Sequence, residues 1–330
     1  MILVDRLFFI ESNGVIYREK DEREKTMIRT NQHIVPHLWY DKEAKKAAEF
    51  YASVFPDSRI TNIITLHDTP SGDADLVSFE LLGQKFMAIS AGPFFKFNPS
   101  ISFIVNFDPA QEKDASEKLN EVWIKLSEGG KVLIPLDKYL ISEKYGWVQD
   151  KFGLSWQLIL TNPEGERRPP IVPSLLFVGD KCGKAEEAIN FYLSVFKNSK
   201  KCQIVRYPHN MEPNREGTIM FSDFMLENQW FAAMDSAEEH EFNFNEAISF
   251  MVYCDTQEEI DYYWEKLSAV PEAEQCGWLR DMNGLSWQIV PREMDKMMSS
   301  ATPEQIARVN MAILKMKKLD LGELQKVYKD

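Results

Sequence analysis

Apolar residues recur at helical spacing in four segments of the chain. The segments lie near residues 43–55, 115–126, 185–196 and 260–267, and each carries one apolar stripe at i, i+3, i+4 and i+7. Between them stand short stretches rich in β-branched and aromatic residues, which is typical of strands. The pattern predicts strands alternating with helices in the order βαβββ. In the first half, IVPHLWYD is the first predicted strand and the others are 59–66, 75–83, 84–90, 101–107, 131–136 and 154–160.

Two copies of one unit follow each other along the chain. GWVQDKFGLSWQLIL (146–160) and GWLRDMNGLSWQIVP (277–291) are identical at eight of fifteen positions. ISFIVNF (101–107) is matched by ISFMVYC (248–254), whereas residues 129–145 have almost no counterpart in the second copy. Such repetition indicates a duplicated structural unit. With two βαβββ modules in each copy, the chain is predicted to contain four.

The repeat predicts a chain of five parts. The N-terminal extension, residues 1–30, contains the charge run REKDEREKT, and it is either a disordered arm or a segment upstream of a natural start at Met27 rather than Met1. A segment dense in proline and glycine separates the copies and is the expected linker. The first copy spans 34–160, the linker 161–170, the second copy 171–290, and a helical tail expected to pack across a sheet 291–330.

Composition and charge narrow the class of protein. The chain has 330 residues, 44% of them hydrophobic, which is enough for two domains with their own cores. A formal net charge of −13 argues against nucleic acid and anionic membranes as partners. The four cysteines form no CxxC pair, and no apolar run approaches the roughly 20 residues that cross a bilayer. We expect free thiols and a cytoplasmic location.

The motifs resemble those of a known superfamily. Paired βαβββ units, the phrase IVPHLWYDKEA with FYASVFPDS, and GWVQDKFGLSWQL are similar to the PhnB-like branch of the glyoxalase/bleomycin-resistance/dioxygenase group, the vicinal oxygen chelate (VOC) superfamily. The resemblance covers both copies and extends to the tail. It implies an α+β fold in which four βαβββ modules form two cup-shaped mixed sheets, with helices outside and a ligand inside. It also implies an intrachain pseudo-dimer and leaves a homodimer open.

Strand alternation indicates which side chains face such a cup. His37 and Trp39 share one face of the first strand, and Glu80 lies opposite the apolar residues of its own strand. We expect His37, Glu80, Ser100 and Gln157 to converge in the cup of the first copy. Residues 136–147, absent from the second copy, are predicted to form a loop that either closes this cup or simply packs. The predicted ligand-binding residues are His37, Trp39, Ser100, Ser102, Tyr145, Trp147 and Gln157.

The resemblance also implies positions for a metal site. Metal enzymes of the superfamily take ligands from the first, third, fifth and eighth strands, and the matching residues here are His37, Glu80, Ser100 and Gln157. Serine and a neutral amide poorly replace the imidazole and carboxylate that Ni, Co, Zn, Mn or Fe sites use. A divalent metal on His37, Glu80 and Gln157 therefore belongs to an alternative hypothesis. The second copy has Ser174 and Met225 at the places of His37 and Glu80.

Three functions follow from these residues. The favoured one is a small-molecule binder that uses the cup of the first copy without a complete catalytic metal site. The alternative is a metal-dependent lyase, isomerase or dioxygenase of the glyoxalase type with Glu80 as the catalytic base. The third is a scaffold protein in which both cups are vestigial. Methyltransferase activity is not expected, because no strand leads through a glycine-rich turn into a helix that could hold a nucleoside cofactor.

Overall fold

The structure is a computed structural model that describes residues 32–69 and 72–329. The predicted extension at 1–30, with the choice between Met1 and Met27, lies outside these residues. The chain from His33 onward forms one compact unit. Among the described residues, no helix is both long enough and apolar enough to cross a bilayer.

The described residues form fifteen strands and seven α-helices, in four modules and a tail. The first module consists of β1 (Ile34–Tyr40), α1 (Ala44–Val54), β2 (Arg59–Thr69), β3 (Gly72–Leu81) and β4 (Gln84–Ser90). The second consists of β5 (Ile101–Phe107), α2 (Ala115–Ser127), β6 (Lys131–Tyr139), β7 (Ser142–Gln149) and β8 (Ser155–Leu160). The third consists of β9 (Ile171–Phe177), α3 (Ala185–Val195), β10 (Lys200–Arg206), β11 (Ile219–Leu226) and β12 (Gln229–Asp235).

The fourth module is one strand shorter than the others. It consists of β13 (Ile248–Cys254), α4 (Gln257–Leu267), β14 (Trp278–Arg280) and β15 (Ser286–Pro291). Its described residues contain no counterpart of β6, in agreement with the missing stretch of sequence. The tail follows as three helices, α5 (Glu293–Ser300), α6 (Pro303–Ile313) and α7 (Leu321–Lys329).

The modules pair across the repeat and not within it. We call the sheet with order β14-β15-β13-β1-β4-β3-β2 sheet A, and the sheet with order β10-β11-β12-β9-β5-β8-β7-β6 sheet B. Sheet A therefore joins the first and fourth modules, and sheet B joins the second and third. The prediction of two mixed sheets built from tandem glyoxalase-like modules is confirmed. The expectation that the first copy builds a cup of its own is wrong, because β1 pairs with β13 and β5 pairs with β9.

Alternation along the strands gives each sheet two different faces. One face packs on helices α1 to α4 in a shared core, where Tyr51 of α1 contacts both Phe79 of sheet A and Trp156 of sheet B. We call the opposite faces cup A and cup B. Cup A includes Val35, Met87, Met251 and Val290, and cup B includes Ile104, Ile159, Val172 and Ala232.

The segment 136–147 differs from the prediction of a loop. It belongs to the hairpin of β6 and β7 at the edge of sheet B, with a tight turn at Leu140 and Ile141. The turn at Leu140 and Ile141 contains no glycine, the residue that marks most hairpin turns, and register shifts interrupt the β6–β7 pairing, so the strand pattern is irregular.

Candidate functional site

Each cup has a polar centre at the same place in the fold. In cup B, Gln157 Nε2 of β8 donates to Ser102 Oγ of β5 over 2.8 Å. In cup A, Gln288 Nε2 of β15 donates to Ser249 Oγ of β13 over 2.9 Å. The glutamine of the repeated Ser-Trp-Gln motif therefore binds across to a neighbouring strand in both sheets.

A residue from a third strand adjoins each polar centre, and this residue differs between the two cups. Ser174 of β9 lies opposite Ser102 in cup B. His37 of β1 lies opposite Ser249 in cup A. Because the two modules in each sheet come from different copies, each polar centre combines residues from both halves of the chain.

Four of the predicted ligand-binding residues come together in cup B. Tyr145 Oη donates to Gln157 Oε1 over 2.8 Å, and Gln157 Nε2 donates in turn to Ser102 Oγ. Trp147 lies directly opposite Gln157 in the β7–β8 pairing. Burial raises the pKa of Tyr145 well above its ordinary value, so this phenol stays neutral. Tyr145, Gln157 and Ser102 thus form one hydrogen-bonded chain on the cup B face.

The other predicted residues lie elsewhere. His37, Trp39 and Glu80 belong to sheet A, so the predicted convergence of His37, Glu80, Ser100 and Gln157 in one cup is wrong. Its physical reason is the pairing of β1 with β13, which carries His37 away from the strand of Gln157. Ser100 precedes β5, and its Oγ donates to the backbone oxygen of Asn243 over 3.3 Å.

Glu80 is also separated from His37 within sheet A. His37 lies opposite Met87 of β4, Met87 lies opposite Ser78 of β3, and Glu80 is two residues beyond Ser78. Two strand spacings alone amount to about 9.6 Å. The Glu80 carboxylate forms an ion pair with Arg59 over 2.8 Å instead. No contact joins this carboxylate to the imidazole.

His37 is a buried and neutral imidazole. Its ring meets the indole of Trp278 edge-on, with 5.4 Å between ring centroids. Burial lowers the pKa of His37 to about 3, because the charged form would lose its hydration. Trp39 extends the same aromatic cluster towards Trp278 and Phe95.

Unpartnered polar atoms are concentrated at these two centres. Seven buried side-chain polar atoms of the described residues lack a hydrogen-bond partner, and strand alternation places five of them on the cup faces. A buried donor or acceptor without a partner costs about 1–3 kcal/mol, so these atoms are an unfavourable feature of the cup faces. The five are His37 Nδ1 and Ser286 Oγ in cup A, and Trp147 Nε1, Ser155 Oγ and Ser174 Oγ in cup B.

The sequence reasoning missed the serines of this group. Ser155 and Ser286 are the serines of the two Ser-Trp-Gln motifs, two positions before the glutamine and hence on its face of the strand. That spacing was the available signal. The repeat places Ser174 at the position of His37, but its location beside Ser102 depends on the pairing of β9 with β5.

The aspartate and tryptophan of the repeated motif form hydrogen bonds in the core and do not line the cups. Asp281 Oδ2 accepts from Tyr192 Oη and from Trp287 Nε1, each over 2.8 Å. Its Oδ1 accepts from the backbone N–H groups of Asn283 and Leu285. Asp150 repeats this arrangement in the other half of the chain. Burial raises the pKa of both carboxyl groups.

An ion pair lies on the far side of cup B. Arg168 of the linker stacks its guanidinium 4.2 Å from the ring centroid of Trp230 and pairs with the Asp223 carboxylate over 2.7 Å. Asp223 also accepts from the backbone N–H of Gln203 over 2.7 Å. Glu166 also pairs with Arg168, over 3.0 Å, so the positive charge of this guanidinium is already neutralised by carboxylates.

These donors do not fit the catalytic metal of the superfamily. Cup A offers an imidazole, an amide and hydroxyls, and cup B offers amide, hydroxyl and indole groups, without a carboxylate at either centre. Over residues 32–69 and 72–329, no three histidine, cysteine, aspartate or glutamate side chains come close enough to hold a metal. The hypothetical ligands His37, Glu80 and Gln157 are divided between two sheets. Divalent transition metals require a fuller set of imidazole and carboxylate ligands.

Comparison with protein families gives a direct match over both copies. The family model described as 3-demethylubiquinone-9 3-methyltransferase matches residues 32–159 and 169–290. The chain belongs to this family. No curated protein matches the chain.

Three solved structures are similar to this chain. A PhnB protein from Bacillus cereus is 33% identical and covers 39% of this chain and 100% of its own, with a TM-score of 0.36. A protein from Pseudomonas aeruginosa is 20% identical over 40% of this chain and 98% of its own, with a TM-score of 0.34. Glyoxalase I from Zea mays is 12% identical over 81% of this chain and 96% of its own, with a TM-score of 0.50, and supports the fold alone. The predicted PhnB-like, VOC-superfamily membership is confirmed.

Proposed function

We propose that this PhnB-like chain binds a neutral small molecule in cup B without a catalytic metal. The supporting observation is the hydrogen-bonded chain of Tyr145, Gln157 and Ser102, around which Trp147 Nε1 and Ser174 Oγ are buried without partners. A ligand with matching polar atoms relieves the cost of these unpartnered groups. The site therefore contains four of the residues predicted from sequence, together with Ser174 from the second copy.

The polar groups of cup B select for an oxygen acceptor. The indole N–H of Trp147 can only donate, so its partner must be an acceptor such as a carbonyl, ether or hydroxyl oxygen. Ser174 can donate or accept. Apolar side chains surround this polar centre, including Ile104, Val172 and Ala232. A quinone or a phenol has this combination, and the family description names a quinone.

Charge argues against an anionic ligand. The cation that we place on this face, Arg168, is already paired with two carboxylates, Asp223 and Glu166. A carboxylate in the polar centre would lose its hydration without gaining a cationic partner. We therefore expect neutral ligands to bind more tightly than anions of the same shape.

Binding is favoured over the two catalytic hypotheses. A glyoxalase-type reaction needs a base beside the bound substrate, and the Glu80 carboxylate is held by Arg59 in the other sheet. Methyl transfer, which the family description names, needs a bound methyl donor. The sequence has no strand followed by a glycine-rich turn and helix to hold a nucleoside cofactor.

A titration with 2-methoxyphenol in the presence of EDTA tests this proposal. We expect saturable binding by calorimetry, and weaker binding to 4-hydroxybenzoate, which carries a charge. Trp147→Phe keeps an aromatic ring and removes the donor, so we expect roughly tenfold weaker binding, which corresponds to about 1.4 kcal/mol for one hydrogen bond. Trp278→Phe, at the equivalent position in cup A, is the matched control and should leave this binding unchanged.

Two results would contradict the proposal. One is binding that appears only when a divalent metal is added and disappears with EDTA. The other is equal loss of affinity in the Trp147 and Trp278 variants, which would show that the ligand does not distinguish the two cups.

A further inference from the structure

The tail occupies the place of the strand that the fourth module lacks. In the second module, β6 runs beside β7, with Asp137 opposite Tyr145. The sequence repeat equates Tyr145 and Gly146 with Cys276 and Gly277. Here the turn between α6 and α7 takes the position of β6. The N–H of Cys276 donates to the Met316 carbonyl over 2.8 Å, and that of Gly277 to the Lys317 carbonyl over 2.7 Å.

The tail also fills cup A with its apolar side chains. Val309, Leu319 and Leu324 are fully buried and belong to the same cluster as Val35 and Met251 of the cup A face. Leu319 lies so close to the sheet that a Cβ on Gly277 would be 3.2 Å from its side chain. The cup A face is thus covered by the tail of the same chain. The equivalent face of sheet B is the one to which we assign a ligand.

The same face carries unpartnered polar groups. His37 Nδ1 and Ser286 Oγ of cup A are buried and have no hydrogen-bond partner. The tail contributes apolar contacts to cup A and leaves these two atoms unpaired. The tail leaves these polar atoms without hydrogen bonds, which costs free energy. A ligand with complementary polar atoms would not have this cost.

Residues 314–329 are attached by two exposed ion pairs and by part-buried hydrogen bonds, which include those from Gln305 and Arg308 of α6 to the Tyr328 and Val327 carbonyls. Lys317 pairs with Glu274 and Lys318 pairs with Asp261, and both lysine side chains are more than 40% exposed. Exposed ion pairs contribute little to stability. Gln257 adds hydrogen bonds to the Leu319 carbonyl and from the Leu321 N–H. Segments held by few buried side chains open locally at lower free energy than the core.

We propose that residues 314–329 are a detachable closure of cup A. The closure opens while both sheets stay folded, and opening uncovers the apolar face around Val35 and Met251, which adjoins His37 two residues further along β1. This inference is independent of the ligand proposed for cup B, because it concerns the access of solvent to the other sheet.

Carbethoxylation of His37 by diethyl pyrocarbonate tests the closure in the full-length protein. Leu324→Ser places a hydroxyl at the buried contact of α7, and we expect His37 to be modified at least tenfold faster, as read by mass spectrometry of its peptide. Leu324→Met preserves an apolar contact and is the matched control. Val54→Ala weakens the core below α1 without touching the tail, and it should leave the rate at His37 near that of the unmodified protein.

Hydrogen exchange separates opening of the tail from unfolding of the sheet. We expect the amides of Cys276 and Gly277 to exchange at least tenfold faster than those of β13, and the Leu324→Ser variant to widen this ratio. Equal exchange rates at both places would overturn the proposal, because the tail would then unfold only together with the sheet. So would an unchanged rate of His37 modification in Leu324→Ser.

Discussion

Burial of His37 makes the stability of the protein depend on pH in a defined direction. The ordinary histidine pKa of 6.5 is lowered to about 3 in the folded chain. The unfolded chain therefore binds the proton more tightly, so the contribution of neutral His37 is fully present above pH 6.5 and is lost as the pH falls towards 3. Each pH unit within this window removes about 1.4 kcal/mol.

The expected difference is large enough to measure under mild conditions. Between pH 7.5 and pH 4.5, the two pKa values give a loss of about 2.7 kcal/mol in the free energy of unfolding from His37 alone. His37→Gln keeps a polar side chain of similar length and removes the titrating group. Urea unfolding of the protein and of this variant at both pH values isolates the contribution of His37, because the other titrating groups contribute equally to the two proteins.

A control and a refuting result complete this experiment. His209→Gln removes an exposed histidine and should retain the full pH dependence of the unmodified protein. If His37→Gln and the unmodified protein lose stability equally between pH 7.5 and pH 4.5, the imidazole is not held neutral by burial. The description of cup A as a closed apolar face would then be wrong.

Three further predictions concern the core, the cup wall and metals. Asp281→Ala removes the acceptor of two buried donors, Tyr192 and Trp287, and should cost about 2–6 kcal/mol in urea unfolding; a loss below about 1 kcal/mol would contradict the role given to this aspartate. Gly146→Ala would place a Cβ 2.6 Å from Trp123, so we expect overpacking to lower stability by about 1–3 kcal/mol, and an unchanged unfolding midpoint would refute it. Adding Ni²⁺ or EDTA should leave Tm unchanged, whereas a saturable shift with Ni²⁺ that Glu80→Gln abolishes would restore the metal hypothesis.

The elements of the fold could be predicted from sequence because their signals are local. The apolar stripe of α1 coincides with its buried side chains Ala44, Ala47, Ala48, Tyr51 and Val54. The alternation in β13 separates Phe250 and Val252, which pack on the helices, from Met251 and Tyr253, which face the cup. Both patterns depend only on the geometry of a single helix or strand.

The pairing of the modules could not be predicted because the repeat makes two arrangements equivalent at the level of sequence. β1 pairs with β13, and the strand that it would meet within its own copy is β5. These strands read ISFMVYC and ISFIVNF, so their pairing edges and apolar faces are nearly the same. The choice between them depends on contacts far apart along the chain, which periodicity does not encode.

The candidate site was predictable only where its residues lie close together along the chain. Tyr145, Trp147 and Gln157 lie on two strands joined by a short turn, so their common face follows from alternation alone. His37 belongs to a different group from the predicted one because one of its two neighbouring strands, β13, comes from the fourth module. The hydrogen bonds that the Met316 and Lys317 carbonyls accept from Cys276 and Gly277 were also unpredictable, since helical periodicity dominates the tail sequence.

The most direct test of the account is the indole N–H resonance of Trp147 in an ¹⁵N-labelled sample titrated with 2-methoxyphenol in EDTA. The predicted result is a saturable shift of this resonance, with those of Trp39 and Trp278 in cup A unchanged, because the ligand accepts a hydrogen bond in cup B. An unchanged Trp147 resonance at saturating probe, or a shift confined to the cup A tryptophans, would contradict the central claim.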